Sequence, residues 1–215
     1  MKPEQATRWI TAARFEPYLA DAEGDHELAV ALYVWNARVS AAMFETLHHI
    51  EVTLRNAIDA QFEPVVGSAP ALDTWLMDAT IFNEASRRRV EDTVARIRRE
   101  DRAPTRSRVV AGLAFGFWRA LFDKKYDRLW VSHLHRAFPE GSGNRAEVAS
   151  LMSKLVPFRN RLAHHETITR RPLAGHYDEM LKLVGLIDPD ARTWIDNASR
   201  VRASLADRPT RTRRP

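Results

Sequence analysis

Apolar residues recur every three or four positions along most of this chain and hardly anywhere alternate, a pattern of helices and not of strands. The longest such run opens after Asp25, whose carboxylate can cap a helix start. It continues through Leu28, Leu32, Trp35, Val39, Met43, Leu47, Ile50, Leu54, Ile58 and Phe62 to a break at Pro64. A shorter piece carrying Trp9, Ile10 and Ala13 precedes it and is expected to end near Pro17. A polar, proline-containing connection over 68–78 leads to a helix capped by Asn83, with Val90, Val94 and Ile97 facing inward. Thr105 then opens an apolar stretch through Val109, Val110, Leu113, Phe117 and Leu121, in which Gly112 and Gly116 let another helix approach closely. Beyond a loop over 139–143, a helix with Val148, Leu151, Met152 and Leu155 meets Pro157, after which 158–166 reads as a new helical start. Helices over 177–187 and 190–206, parted at Pro189, complete the pattern. The fold class is therefore all-α, with 1–206 as a single domain and 207–215 as a basic tail expected to be disordered.

Length makes this picture feasible: 215 residues can bury a sizeable core, and 45% hydrophobic with 28% charged residues is ordinary for a folded chain. The absence of cysteine removes disulfides, thiolate nucleophiles and cysteine zinc clusters, leaving chemistry to His, Asp, Glu, Ser, Lys and Arg. No stretch approaches the roughly 18 apolar residues of a membrane span, and 1–15 lack the continuous apolar segment of a secretory signal. A cytoplasmic protein without membrane partners is the expectation.

Lys+Arg number 33 against 28 Asp+Glu, a formal +5, and nearly all the cations are Arg, whose planar fork suits phosphate. Arg87, Arg88, Arg89, Arg96, Arg98 and Arg99 share the helix after Asn83, and Arg208, Arg211, Arg213 and Arg214 crowd the tail. Such clusters supply sequence-independent attraction to RNA. On the helix, Glu91, Asp92, Glu100 and Asp101 compensate, so an RNA track and a solvated face fit equally. The aromatic cluster Phe115, Phe117, Trp118, Phe122, Tyr126 and Trp130 reads first as packed core and second as a partner-docking face.

The segment richest in chemistry is Phe158-Arg159-Asn160-Arg161-Leu162-Ala163-His164-His165-Glu166. At about 100° per residue Asn160 and His164 share a helix face, while Arg159 lies about 140° from His164 and reaches round by its length. An Arg to stabilise charge and a His to move a proton are what metal-independent RNA cleavage needs, the RNA 2′-OH being the nucleophile. By spacing alone, ordinary surface or inter-helix hydrogen bonds explain the pair as well. Glu51 and Arg55, at i and i+4 on the long helix, fit an intrahelical ion pair, or with Asn56 a lining that supports the cleft. His48, His49 and Glu51, and His133 with His135, lack the helical His pair with an intervening Glu of zinc hydrolases, and no phosphate loop is present; neither metal nor cofactor is expected.

Four blocks in order, Tyr33-Val34-Trp35-Asn36, Glu51-Val52-Thr53-Leu54-Arg55-Asn56-Ala57-Ile58, Leu113-Ala114-Phe115-Gly116-Phe117-Trp118 and Arg159-Asn160-Arg161-Leu162-Ala163-His164-His165-Glu166, resemble the motifs of the Abi-like (abortive infection) family of the HEPN superfamily. The resemblance covers about residues 30–170. It implies a HEPN-type helical bundle with additional helices, usually dimeric. It also implies ribonuclease activity, found in many members, in phage defence or as a toxin; an antitoxin or regulatory RNA is a further candidate partner beside RNA itself. By the same resemblance Arg159 and His164 take the catalytic Arg and His positions, Asn160 the polar position after the Arg, and His165 and Glu166 the usual continuation; His165 is a candidate supporting residue and Arg161 a candidate RNA contact. Two copies would complete one cleft across a homodimer axis, leaving a 2′,3′-cyclic phosphate and a 5′-hydroxyl. Some members of the superfamily bind RNA or partners without cleaving, which makes a non-catalytic regulatory module the alternative.

Overall fold

The computed structural model describes residues 3–62, 74–141 and 143–211, and among these the regular structure is helical. The expected break at Pro64, most of the connection over 68–78, and Arg213 and Arg214 lie outside the described residues. Helices α1 (Pro3–Ile10) and α2 (Ala12–Asp21) lead into α3 (His26–Asp59), followed by α4 (Glu84–Arg99), α5 (Arg106–Gly112), α6 (Phe115–Ala120) and α7 (Asp127–Ser132). Then come α8 (Arg145–Ala163), α9 (Leu173–Ile187), α10 (Pro189–Ala198) and α11 (Val201–Ala206).

α3 forms as its pattern demands. The Asp25 carboxylate accepts from the backbone N–H groups of Glu27 and Leu28, satisfying two orphan donors of the first turn. The stripe from Leu32 through Trp35, Val39, Met43, Leu47, Ile50 and Leu54 to Ile58 is buried, and α2, α5, α8, α9 and α11 pack around it. Asn83 caps α4 through the Ser86 N–H, and Asn144 caps α8 through the Glu147 N–H. The six aromatics between 115 and 130 are all buried, so they are core and not a docking face.

Four expectations are corrected. Pro17 does not end the first helix; α1 and α2 part at Thr11, whose φ of 71° is incompatible with helix, and Phe15 and Tyr18, buried on either side of Pro17, hold α2 together. Pro157 likewise lies inside α8. Phe158 and Leu162 continue the buried stripe of Leu151 and Leu155, and burying side chains of that size at about 1.5–3 kcal/mol each offsets the roughly 3 kcal/mol cost of an internal proline. The stretch after Thr105 bends at Leu113 into α5 and α6. Gly112 does permit close approach, since a Cβ there would stand 2.9 Å from Thr93 Cγ2 of α4, but Gly116 faces open space. The last helix divides at Ser199, whose hydroxyl accepts from the Val201 N–H and contacts Thr46 of α3 at 3.0 Å.

The lower end of α3 is held by a buried arginine that the periodicity does not reveal. Arg106 Nε donates to Asp59 Oδ1 at 2.8 Å, and its Nη2 donates to the carbonyls of Asp59 at 2.7 Å and Phe62 at 3.3 Å. The same Asp59 oxygen accepts from Trp75 Nε1 at 2.8 Å.

Removing Arg106 leaves the half-buried Asp59 carboxylate without its cation and the Asp59 and Phe62 carbonyls without the guanidinium donor. Arg106→Met is expected to lower unfolding free energy by about 3 kcal/mol, read from urea denaturation. Near the carboxyl end, hydrogen bonds from Arg202 (3.1 Å) and Tyr177 (2.7 Å) hold the Asp196 carboxyl below the usual carboxylate range. A lowered folded-state value stabilises the protein above the ordinary Asp value of about 3.9, and this contribution disappears as pH falls through the lowered value. Asp196→Asn should therefore reduce stability at neutral pH and flatten the acid loss below the ordinary Asp value of about 3.9, read from urea midpoints measured as pH is lowered.

Candidate functional site

Because α8 runs through Pro157, the Arg159 to His164 segment occupies the C-terminal end of a helix and not a helix start. His164 is the capping residue, its N–H bonded to the Asn160 carbonyl at 2.9 Å. The chain then reverses: the His165 N–H meets the Leu162 carbonyl at 3.1 Å and the Glu166 N–H meets the Arg161 carbonyl at 2.9 Å. This closure puts His165 at φ 54°, the left-handed position usually taken by glycine. The emerging loop is tied down from elements far away in sequence. Arg14 of α2 donates to the His165 carbonyl, the buried Asn36 of α3 accepts from the Ile168 N–H at 2.9 Å, and Asp21 takes Thr169 and Arg170.

Arg159 points from α8 to α3. Its Nε donates to Glu51 Oε1 at 3.1 Å and its guanidinium lies 5.7 Å from the centroid of the Phe44 ring, with 30% of the Arg159 and 25% of the Glu51 side chain exposed. Asn160 and His164 are exposed beside it, and among the described residues neither side chain has a hydrogen-bond partner. The structure thus gathers Arg159, Asn160, His164 and Glu51 at one end of α8. The expected Glu51–Arg55 pair is not formed, because Arg159 offers Glu51 a partner while Arg55, one turn on, donates to the Ala111 carbonyl at 3.1 Å. The Arg55 Nε is buried without a partner. Asn56 is exposed.

The expected RNA contacts are distributed differently. Arg161 pairs with Glu166 at 2.6 Å, and Arg87 and Arg88 both bond Glu84, at 3.1 and 3.0 Å. Arg96 donates to the Gly112 carbonyl at 3.1 Å and stands 3.6 Å from Glu100, while Arg99 turns back to its own helix. In the tail, Arg208 lies over the Trp35 ring and Arg211 pairs with Glu23, so this part of 207–215 is engaged with the fold instead of forming a free arm. Among the described residues no group of three or more His, Asp or Glu side chains could hold a metal ion, and no helix is long and apolar enough to cross a membrane.

Three residues at the site escape sequence reasoning: Phe44 beneath Arg159, Asn36 behind the loop and Arg14 on its carbonyl. Asn36 carries a signal in retrospect, as a polar residue in the buried stripe of α3; Phe44 is a large apolar residue on the stripe's outer side. Arg14 carries none.

His165 makes the closing turn testable. Glycine there relieves the left-handed strain, while a β-branched residue adds to it. Thermal unfolding should show His165→Gly at least as stable as the parent and His165→Val less stable by about 1–2 kcal/mol. Comparisons with known protein families, with curated proteins and with solved structures found no match, so what this arrangement does is argued from its side chains.

Proposed function

We propose that the protein is a metal-independent endoribonuclease of the HEPN type, a cytoplasmic member of the Abi-like family acting in phage defence or as a toxin. One observation carries the reading: Glu51 of the second resemblance block holds Arg159 of the fourth at 3.1 Å across 108 residues, next to the exposed Asn160 and His164. The other blocks support the same end of the molecule, Asn36 by fixing the loop after His165 and the 113–118 stretch by following the carbonyls that Arg55 and Arg96 hold.

In this reading His164 takes the proton of the 2′-OH or delivers one to the departing 5′-oxygen. Arg159 stabilises charge building on the phosphate and Asn160 orients it. Cleavage by transesterification needs a base and an acid, and each chain supplies a single His of the motif. A second copy provides the other. Beside the motif, α3 leaves Ala37, Ala41 and Phe44 exposed at helical spacing along a groove of about 740 Å³ that Tyr33, Leu162 and His165 also line, a face suited to that homodimer.

A second reading draws on the Glu51 contact itself, which partly neutralises Arg159. It is a regulatory module that binds RNA or a partner, an antitoxin or regulatory RNA among them, without cutting. Purified wild type and His164→Ala incubated with total RNA in EDTA decide between them. The nuclease is expected to leave 2′,3′-cyclic phosphate and 5′-hydroxyl ends, with the variant slower by 10²-fold or more. Intact RNA with both proteins, together with unchanged RNA affinity, would favour the binding module.

A further inference from the structure

A groove of about 890 Å³ runs between α4 and α6. Arg89, Arg96 and Arg99 of α4, Arg119 of α6 and Lys125 from the turn after α6 line it, against only two carboxylates, Asp92 and Asp123. Arg119 spends its charge on Asp123 at 3.4 Å, and Arg96 is drawn toward Gly112 and Glu100. Arg89 and Lys125 are exposed and form no ion pair among the described residues, Lys125 lying over the Tyr126 ring at 5.0 Å. At Gly116 the lining is open, a Cβ built there meeting nothing within 4 Å.

Where the groove ends matters as much as its charge. Val156 of α8 lines it, and Val156 and Arg159 lie three residues, almost one helical turn, apart on the same helix. On the opposite wall, Gly112 lines the groove while the adjacent Ala111 carbonyl is held by Arg55, one turn along α3 from the Glu51 that holds Arg159. Groove and motif are therefore neighbours along two helices.

We propose that this groove is the track for a single strand of RNA, whose phosphates follow Arg89, Lys125 and their neighbours and whose continuation presents a phosphate to Arg159. The inference rests on the ribonuclease reading for its occupant, and on charge and continuity for its place. It narrows the basic cluster read from the sequence to Arg89, Arg96 and Arg99, since Arg87 and Arg88 lie outside the groove and are occupied by Glu84. Guanidinium forks suit phosphate, and neutralised phosphates release counterions, so the track has a salt signature.

The test uses the full chain carrying His164→Ala, which keeps RNA intact, and a fluorescein-labelled 20-nucleotide single-stranded RNA followed by anisotropy from 50 to 300 mM salt. Arg89→Gln/Lys125→Gln is compared with Arg128→Gln/Arg192→Gln, a pair of equal charge change on exposed residues outside the groove. The groove pair should weaken binding at least tenfold at 100 mM salt and lower the slope of log affinity against log salt by about 1.4, about 0.7 for each lost phosphate contact. The control pair should stay within twofold. Equal losses from both pairs, no loss from the groove pair, or equal competition by a polyglutamate peptide would each overturn the track. Binding lost only by the groove pair in a protein whose wild type never cuts RNA would uphold the track and remove the ribonuclease reading. Cleavage by wild type with binding untouched by the groove pair would do the reverse.

Discussion

The fold depends on one constraint: a 34-residue helix, about 50 Å of continuous rod, sits in a chain whose next longest helix has 19 residues. A rod of that length cannot bury its stripe against any single partner, so α2, α5, α8, α9 and α11 each cover a portion. Its ends are fixed by different chemistry, the Asp25 carboxylate on free N–H groups at the start and the Arg106 guanidinium on the carbonyls of Asp59 and Phe62 at the finish. Because Phe44, Glu51 and Arg55 stand on this same rod, whatever they hold is positioned by the core and not by a loop.

The C-terminal position of the Arg159 to His164 segment shapes its electrostatics. The end of a helix presents carbonyl oxygens and the negative pole of its dipole, an unfavourable place for a phosphate. The closing turn occupies the carbonyls of Asn160, Arg161 and Leu162 with backbone N–H groups. An anion meeting this end would find cations supplied by side chains, Arg159 foremost, in place of the N–H groups that a helix start offers.

Much of this was legible in the sequence, and the failures share a cause. Periodicity located α3, its cap and its buried face because those depend on neighbours within a turn or two. Local rules placed helix boundaries at Pro17 and Pro157 by counting the missing N–H and the ring clash, yet the apolar register on both sides of each proline was unbroken, and packing decided. Glu51 looked committed to Arg55 at i+4, but sequence distance conceals Arg159, which lies across the helix interface. The ties of Arg106 to Asp59 and of Asn36 to Ile168 join residues 47 and 132 positions apart, pairings that no local pattern announces. The residues of the motif were readable as types, while their orientation was not.

The way residues 199–208 close over α3 bears on how the protein is made. Trp35, near the beginning of the long helix, finds the acceptor for its indole N–H at Ser204, 2.7 Å away, and its ring is covered by Arg208. Thr46 waits for Ser199, and Glu45 for Arg200. A nascent chain that has reached Ile187 has already synthesised the Arg159 to His164 segment and every residue that ties it down, but the amino-terminal half of the rod still lacks part of its cover. During translation the segment thus precedes the seal, and the later-emerging Ile195 and Val201 join the hydrophobic interior around the earlier long helix.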